Sequence, residues 1–447
     1  MFDLPAGRQE IENFILKIMI IGIDASRANR AHRHGPEWYS YYIIKHFARL
    51  DKKNQYILFS DIPLTGGLLD LTCPEMEKEC VGEIKFDKDG FQVIKSPHNN
   101  FRGRVLAWPF KFLWTQGRLS AAMLKRKINK PDILFIPAHT LPFIHPRKSV
   151  VTIHDVGFER ENDYYKKEKI GSESKSVHGL TDLLVRIFTL GRYGANSRDY
   201  QSWSAKFALK RASAIVCPSE FTKKEILSLY GGDEKKIKVV SNGFNDQFYN
   251  TTVREDKVAM VLEKYGASKP YILYLGRLER KKNIPSLVEA FGIMKNKYPE
   301  IKHKLVLAGN ASYGYDEANF MASEYNVERD VIMPGWIEER DLPYFYKGAD
   351  AFVFPSRYEG FGIPLLQAMG TGIPIATSNL SPIPEIVGDA GYFFDANDVY
   401  AMSDAIREII INQDLRARLI AAGVKRAKNY SWEKCAQETL AILESVK

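Results

Sequence analysis

Residues 351–379, AFVFPSRYEGFGIPLLQAMGTGIPIATSN, join an apolar run to a glycine-bearing loop and a helix entered through proline. The run Ala351 to Phe354 has the continuous apolarity of a parallel strand buried on both faces. The loop Arg357 to Gly362 follows, and Pro364 starts a helix at a position where its missing N–H wastes no hydrogen bond. Gly360 and Gly362 let backbone N–H groups come close to a ligand. A helix N-terminus favours an anion, so phosphate is the expected guest. Glu359 stands at the lip of that site, where a carboxylate suits sugar hydroxyls better than the anion itself. A sugar linked to phosphate satisfies both groups. The alternative is a strand–loop–helix connection whose glycines only turn the chain.

Strands and helices alternate along the rest of the chain, which predicts an α/β protein built on doubly wound parallel sheets. A length of 447 residues suits two domains of roughly 200 residues each. In the first, 18–243, the expected strands are Ile18–Ile23, Tyr56–Ser60, Phe91–Lys95, Asp132–Ile136, Ser149–Ile153, Ala214–Cys217 and Ile237–Val240. In the second, 244–430, they are Tyr271–Leu275, Lys304–Ala308, Val331–Met333, Ala351–Phe354 and Ile373–Ala376. Residues 1–17 read as an extension the fold does not need, with Met19 an alternative start. Ligands of such sheets bind beyond the carboxyl ends of the strands. That places weight on Gly35, on His154-Asp155, and on Gly276-Arg277 with Lys282. Gly35 reads equally well as a helix-start turn, and Arg280 and Lys281 as a solvated charge cluster.

Composition narrows the classes. Hydrophobic content of 45% and charged content of 26% describe a globular chain. The four cysteines, Cys73, Cys80, Cys217 and Cys435, lack metal-ligand spacing and suggest no disulfide framework, so a reducing cytoplasm is expected. No Asp-x-Asp, His-rich or Cys-rich arrangement offers a metal site. The net charge of +9 is spread over the chain without a nucleic-acid motif, so no nucleic-acid partner is expected. From Arg102 to Lys130 there are eight Lys/Arg residues, no acidic residue and several aromatics. Two readings stand for this stretch. It is either a basic helix lying on an anionic membrane surface or an amphipathic helix packed on the sheet. Phe158 to Ser197, about 158–197, is a long insert read as an acceptor-side lid or membrane contact.

EGFGIPLLQAMGTGIPI, YILYLGRLERKKN (Tyr271–Asn283) and SVVTIHDVG (Ser149–Gly157) together resemble motifs of retaining glycosyltransferases with the GT-B fold. This is the large family 4, or group 1, that includes bacterial mannosyltransferases. The resemblance covers the chain from Met19 onward and implies two Rossmann-like domains facing a central cleft. It also implies a terminal helix, 431–447, that crosses back onto the first domain. By the same resemblance, Glu359 and His154 serve the transferred sugar. Arg277, Lys282, Gly362 and Ile363 hold the diphosphate, and Phe361, Gln367 and Gly35 border the donor sugar and ribose. One departure stands out: the family usually has a second glutamate where this chain has Gln367. Glutamine keeps one acceptor and two donors, so ribose binding stays available in altered form.

The implied activity is transfer of a hexose, mannose by closest likeness, from a GDP- or UDP-sugar without a cofactor or metal. The acceptor is a glycan or lipid-linked saccharide of surface polysaccharide assembly, and the implied location is cytoplasmic, at the inner face of the membrane. Glucose or N-acetylglucosamine transfer by the same fold is the alternative reaction. A non-catalytic sugar-nucleotide-binding scaffold is the alternative of another class.

Overall fold

The computed structural model describes residues 18–74, 82–108, 114–124, 130–160, 196–245, 249, 252–311, 315–380 and 382–446. The extension 1–17 and most of the insert, 161–195, lie outside the described residues, so the lid reading does too.

The first domain is built on β1 (Ile20–Asp24), β2 (Gln55–Ser60), β3 (Gln92–Val93), β4 (Phe101–Val105), β5 (Ile133–Ile136), β6 (Lys148–Thr152), β7 (Ala214–Cys217) and β8 (Ile237–Val239). They form one sheet in the order β3-β4-β2-β1-β5-β6-β7-β8, parallel throughout except for β3 against β4. Side chains alternate between its faces as the strand period requires. Ile21, Ile23, Ile133 and Phe135 join the core on one face, Leu134 and Ile136 the core on the other. Each such side chain contributes about 1.5–3 kcal/mol relative to exposure. Helices cover both faces, which is why the strands read as unbroken apolar runs.

The second domain has β9 (Tyr271–Leu275), β10 (Lys304–Ala308), β11 (Val331–Gly335), β12 (Ala351–Phe354), β13 (Ile375–Ser378) and β14 (Gly391–Phe394). These form an all-parallel sheet in the order β11-β10-β9-β12-β13-β14. Strand order reverses between β9 and β12, which pair through Ala351 with Ile272 and Phe352 with Leu273. In the first sheet the reversal falls between β1 and β5. Crevices open at both points, and the two face each other. The final helix, Trp432–Ser445, puts Trp432, Cys435, Ala436 and Leu443 into the core of the first domain, and Trp432 stacks on Tyr42 at 5.0 Å.

Several expectations need correction. Phe91–Lys95 is only the two-residue antiparallel β3, and the parallel neighbour of β2 is β4, FRGRV, which overlaps the start of the expected basic helical stretch 102–130. Its arginines hid it: Arg102 and Arg104 lie over the Phe91 ring at 4.2 and 4.9 Å, while Phe101 and Gly103 are buried. Strand β14 was also missed, because GYFF carries too few residues to stand out. Within 102–130, Trp114, Leu119 and Met123 pack into the core, and Trp114 donates to the Leu106 carbonyl at 3.1 Å. Residues 109–113 and 125–129 lie outside the described set. Among the described residues no helix is long and apolar enough to cross a membrane. Cys217 and Cys435 are free and buried, but Cys73 is disulfide-bonded, which cysteine spacing had not suggested.

Candidate active site

Each strand that faces the crevice hands over to a loop whose conformation its sequence sets. After β12 the chain runs to Gly362, whose φ of 99° lies in the left-handed region that glycine tolerates, and then enters helix Ile363–Thr371 with Pro364 in its first turn. After β9 come Gly276-Arg277 and a short turn of 3₁₀ helix, Arg280–Lys282. The backbone N–H of Arg357 donates to the Lys281 carbonyl at 3.0 Å and ties the two loops together. After β6 come His154 and Asp155, and after β1 a loop leads to helix Gly35–Leu50.

Gly35, His154, Arg277, Lys282, Glu359, Phe361, Gly362, Ile363 and Gln367 all line one cleft of about 430 Å³ between the domains. At its centre the Lys282 ammonium lies 2.6 Å from Oε1 of Glu359, with side chains only 16% and 10% exposed. Arg277 is half exposed, and its Nε is 3.9 Å from Glu279. Lys281, expected on the surface, is largely buried and sits 3.4 Å from the buried Glu279 carboxylate. Arg280 does lie outside, 4.0 Å from Glu317. Lys281 and Glu279 are therefore cleft residues that the sequence reading missed. The only signal was their closeness to Lys282. A Cβ built at Gly360 would fall 2.1 Å from the carbonyl oxygen of His154, so the loop carrying Glu359 touches the opposite domain at His154.

A family profile described as "Glycosyl transferases group 1" matches residues 263–426, and one described as "Glycosyltransferase Family 4" matches 86–248. The chain is 30% identical over 311 residues to the O-antigen chain mannosyltransferase B of Escherichia coli, covering 69% of this chain and 79% of that protein. The chain belongs to the family 4, group 1 glycosyltransferases. A longer relative, the serotype-specific mannosyltransferase WbdA of Escherichia coli, is 26% identical over 334 residues, and the matched region is 39% of its length. Among solved structures, sucrose-phosphate synthase of Thermosynechococcus elongatus has a TM-score of 0.64 at 17% identity, covering 95% of this chain and 98% of that one. WaaG, a glycosyltransferase involved in lipopolysaccharide biosynthesis, has a TM-score of 0.64 at 13% identity, covering 95% and 99%. These likenesses establish the GT-B fold.

In this glycosyltransferase the cleft histidine, His154, is held neutral. His154 Nε2 lies 2.9 Å from the Pro137 carbonyl, which only accepts, so Nε2 carries the proton and Nδ1 the lone pair. Burial, assisted by nearby His139 and opposed by the Pro137 bond, pushes its pKa down to about 4. Pro137 thus sets the tautomer, while Oδ1 of the neighbouring Asp155 accepts the Gly157 N–H at 2.8 Å. Burial pushes the Asp155 carboxyl up, but Lys281, His139, the Gly157 N–H and Lys282 outweigh it and leave the group below its ordinary range.

A stability effect follows with a definite sign. Between the unfolded value near 6.5 and the folded value of about 4, the unfolded chain holds a proton that the folded chain refuses. Stability is therefore lost as pH falls through that window, by up to roughly 3 kcal/mol for this one group. His154→Gln keeps an amide donor for Pro137 and cannot titrate. Melting curves from about pH 7 down to about pH 5 are expected to fall more steeply for the wild type than for this variant; parallel curves would refute the assignment.

Gln367 and Phe361 take up positions that qualify their expected roles. The Gln367 amide donates to the Tyr249 hydroxyl at 2.7 Å and accepts from the Tyr346 hydroxyl at 3.0 Å. Its polar atoms are thus engaged with two buried tyrosines, of which Tyr249 lines the cleft. The Phe361 ring is buried edge-on to Tyr430 at 5.9 Å and so is engaged within its own domain. Gly35 has nothing within 4 Å of where a Cβ would stand, and it faces the cleft from the first domain. Among the described residues no group of three or more His, Cys, Asp or Glu is placed to hold a metal ion.

Proposed function

We propose that the enzyme transfers mannose, with retention, from a nucleoside-diphosphate sugar to a hydroxyl of a glycan or lipid-linked saccharide in surface polysaccharide synthesis. The Lys282–Glu359 pair carries this reading: a cation for the leaving diphosphate stands directly beside a carboxylate for sugar hydroxyls, opposite His154. The relatives in Escherichia coli named as O-antigen and serotype-specific mannosyltransferases favour mannose and a polysaccharide product. A nucleotide-sugar donor is favoured by HepE of Anabaena, of the same fold, whose structure holds UDP and glucose.

As the glycosidic bond of the donor breaks, the anomeric carbon becomes cationic and the diphosphate gains negative charge. Arg277, Lys282 and the N–H groups of Gly362 and Ile363 at the start of helix Ile363–Thr371 stabilise the leaving group without reorganising. These cations do the work that a divalent metal does at other phosphate sites, so no cofactor is required in this reading. Lys282 turns from Glu359 toward phosphate, and Glu359 is freed to bind sugar hydroxyls and face the developing positive charge. Neutral His154 adds hydrogen bonding without a repelling charge. In this reading the acceptor attacks from the face the diphosphate leaves, and a phosphate oxygen takes its proton.

Melting temperatures measured against GDP, UDP, GDP-mannose and UDP-glucose test the donor. A ligand at about a hundred times its dissociation constant adds roughly 2.7 kcal/mol to folding, a clear upward shift. The shift is expected with one base only and is lost in Arg277→Ala. No shift with any nucleotide would sink the donor assignment, and an anomer-inverted product in the proton spectrum would sink retention.

A further inference from the structure

The loop that carries Glu359 is gripped by the opposite domain. Helix Glu220–Tyr230 begins at Ser219, whose hydroxyl oxygen accepts the Thr222 N–H at 3.1 Å and so caps the helix from within its own domain. Beyond that local task, Ser219 Oγ lies 2.9 Å and Thr222 Oγ1 3.1 Å from the carbonyl oxygen of Gly360, across the domain boundary. Both hydroxyl side chains are fully buried and lie 3.0 Å from each other, so the pair shares its two O–H donors between that carbonyl and the Ser219–Thr222 contact. At the edge of the same contact the Glu385 carboxylate, from the second domain, accepts the N–H groups of Glu220 at 2.8 Å and Phe221 at 3.0 Å. Carboxylate and helix N-terminus are complementary in charge. The Phe221 ring meets Tyr358 edge-on at 5.8 Å.

We propose that Ser219, Thr222 and Glu385 form a latch between the domains, with Ser219 and Thr222 as positioning residues for Glu359. The inference rests on the reading of Glu359 as catalytic. With the latch closed, the Gly360 peptide is fixed, and Glu359 on one side of it and Gly362 on the other are held toward the cleft. With the latch open, the loop loses its hydroxyl partners, and Glu359 separates from His154. Closure of the cleft and assembly of the sugar site are then one event.

Thr222→Val keeps side-chain shape, leaves the Ser219 cap in place and still leaves Gly360 one donor, so no buried group is orphaned. With GDP-mannose or UDP-glucose as donor, its kcat is expected to fall about tenfold, with donor KM within about twofold of wild type. Its melting temperature should stay within about 2 °C, and Thr222→Ser should restore turnover. Glu385→Ala should raise the radius of gyration of the donor-free enzyme in small-angle scattering, with Glu385→Gln in between. Turnover of Thr222→Val within about twofold of wild type would overturn the proposal, as would a melting temperature that falls in step with kcat. A wild type that transfers no sugar at all would defeat the functional reading instead. The scattering comparison would still decide the latch, an unchanged radius in Glu385→Ala and Thr222→Val overturning it.

Discussion

Replacing Lys282 with alanine is expected to lower kcat by about 10²–10³-fold, the usual effect of removing one preorganised donor to developing negative charge. Two consequences reinforce each other. The leaving diphosphate loses a cation, and Glu359, with its side chain only 10% exposed, loses the ammonium 2.6 Å away. An unpaired carboxylate beside the diphosphate path repels the donor, so donor KM should rise as well. The double variant Lys282→Ala with Glu359→Gln separates the two effects. If the residues act as a unit, its donor KM is lower than that of Lys282→Ala alone, and the losses in kcat fall short of additivity. Steady-state kinetics on the wild type, Lys282→Ala, Glu359→Gln and the double variant gives the answer. A Lys282→Ala enzyme within about threefold of wild type would remove Lys282 from the diphosphate site.

Gly360→Ala should be nearly as damaging for a different reason. The added methyl would stand 2.1 Å from the His154 carbonyl oxygen and 2.9 Å from the Asp155 Cβ, both in the other domain. Neither atom sits at the end of a flexible side chain, so the clash is relieved by parting the domains at this point. An overpacking cost of about 1–3 kcal/mol set against closure corresponds to a loss of roughly five- to 150-fold in kcat/KM. The two domain cores are untouched, so the melting temperature should change little. Kinetics together with small-angle scattering checks this: wild-type turnover at an unchanged radius of gyration would mean that the contact is not part of the working state.

Much of this site was legible because its parts are local. An apolar run followed by GFGIP specifies a strand, a left-handed glycine and a helix start from neighbours within a few residues, and Gly362 and Pro364 behave accordingly. Likewise His154 follows its strand because SVVTI leaves no other place for it. Strand β4 was not legible, since FRGRV shows its apolar character only once Arg102 and Arg104 are seen lying over Phe91. Lys281 reads as surface because three consecutive basic residues look alike in sequence, and the 3₁₀ turn Arg280–Lys282 leaves Arg280 outside while Lys281 turns inward.

By itself, then, the sequence determined the alternation of strands and helices, the loops at their carboxyl ends, and the residue types those loops present. Each depends on backbone preferences and side-chain periods that act over a few residues. Only the tertiary structure decided that Lys282 meets Glu359, 77 residues further on, because that requires β9 and β12 to be neighbours at a reversal of strand order. It also decided that Pro137 sets the His154 tautomer and that Gly360 rests on the opposite domain between Ser219, Thr222 and His154. Such contacts are made by chain segments far apart in sequence, and their geometry comes from the packing of whole sheets and domains against one another.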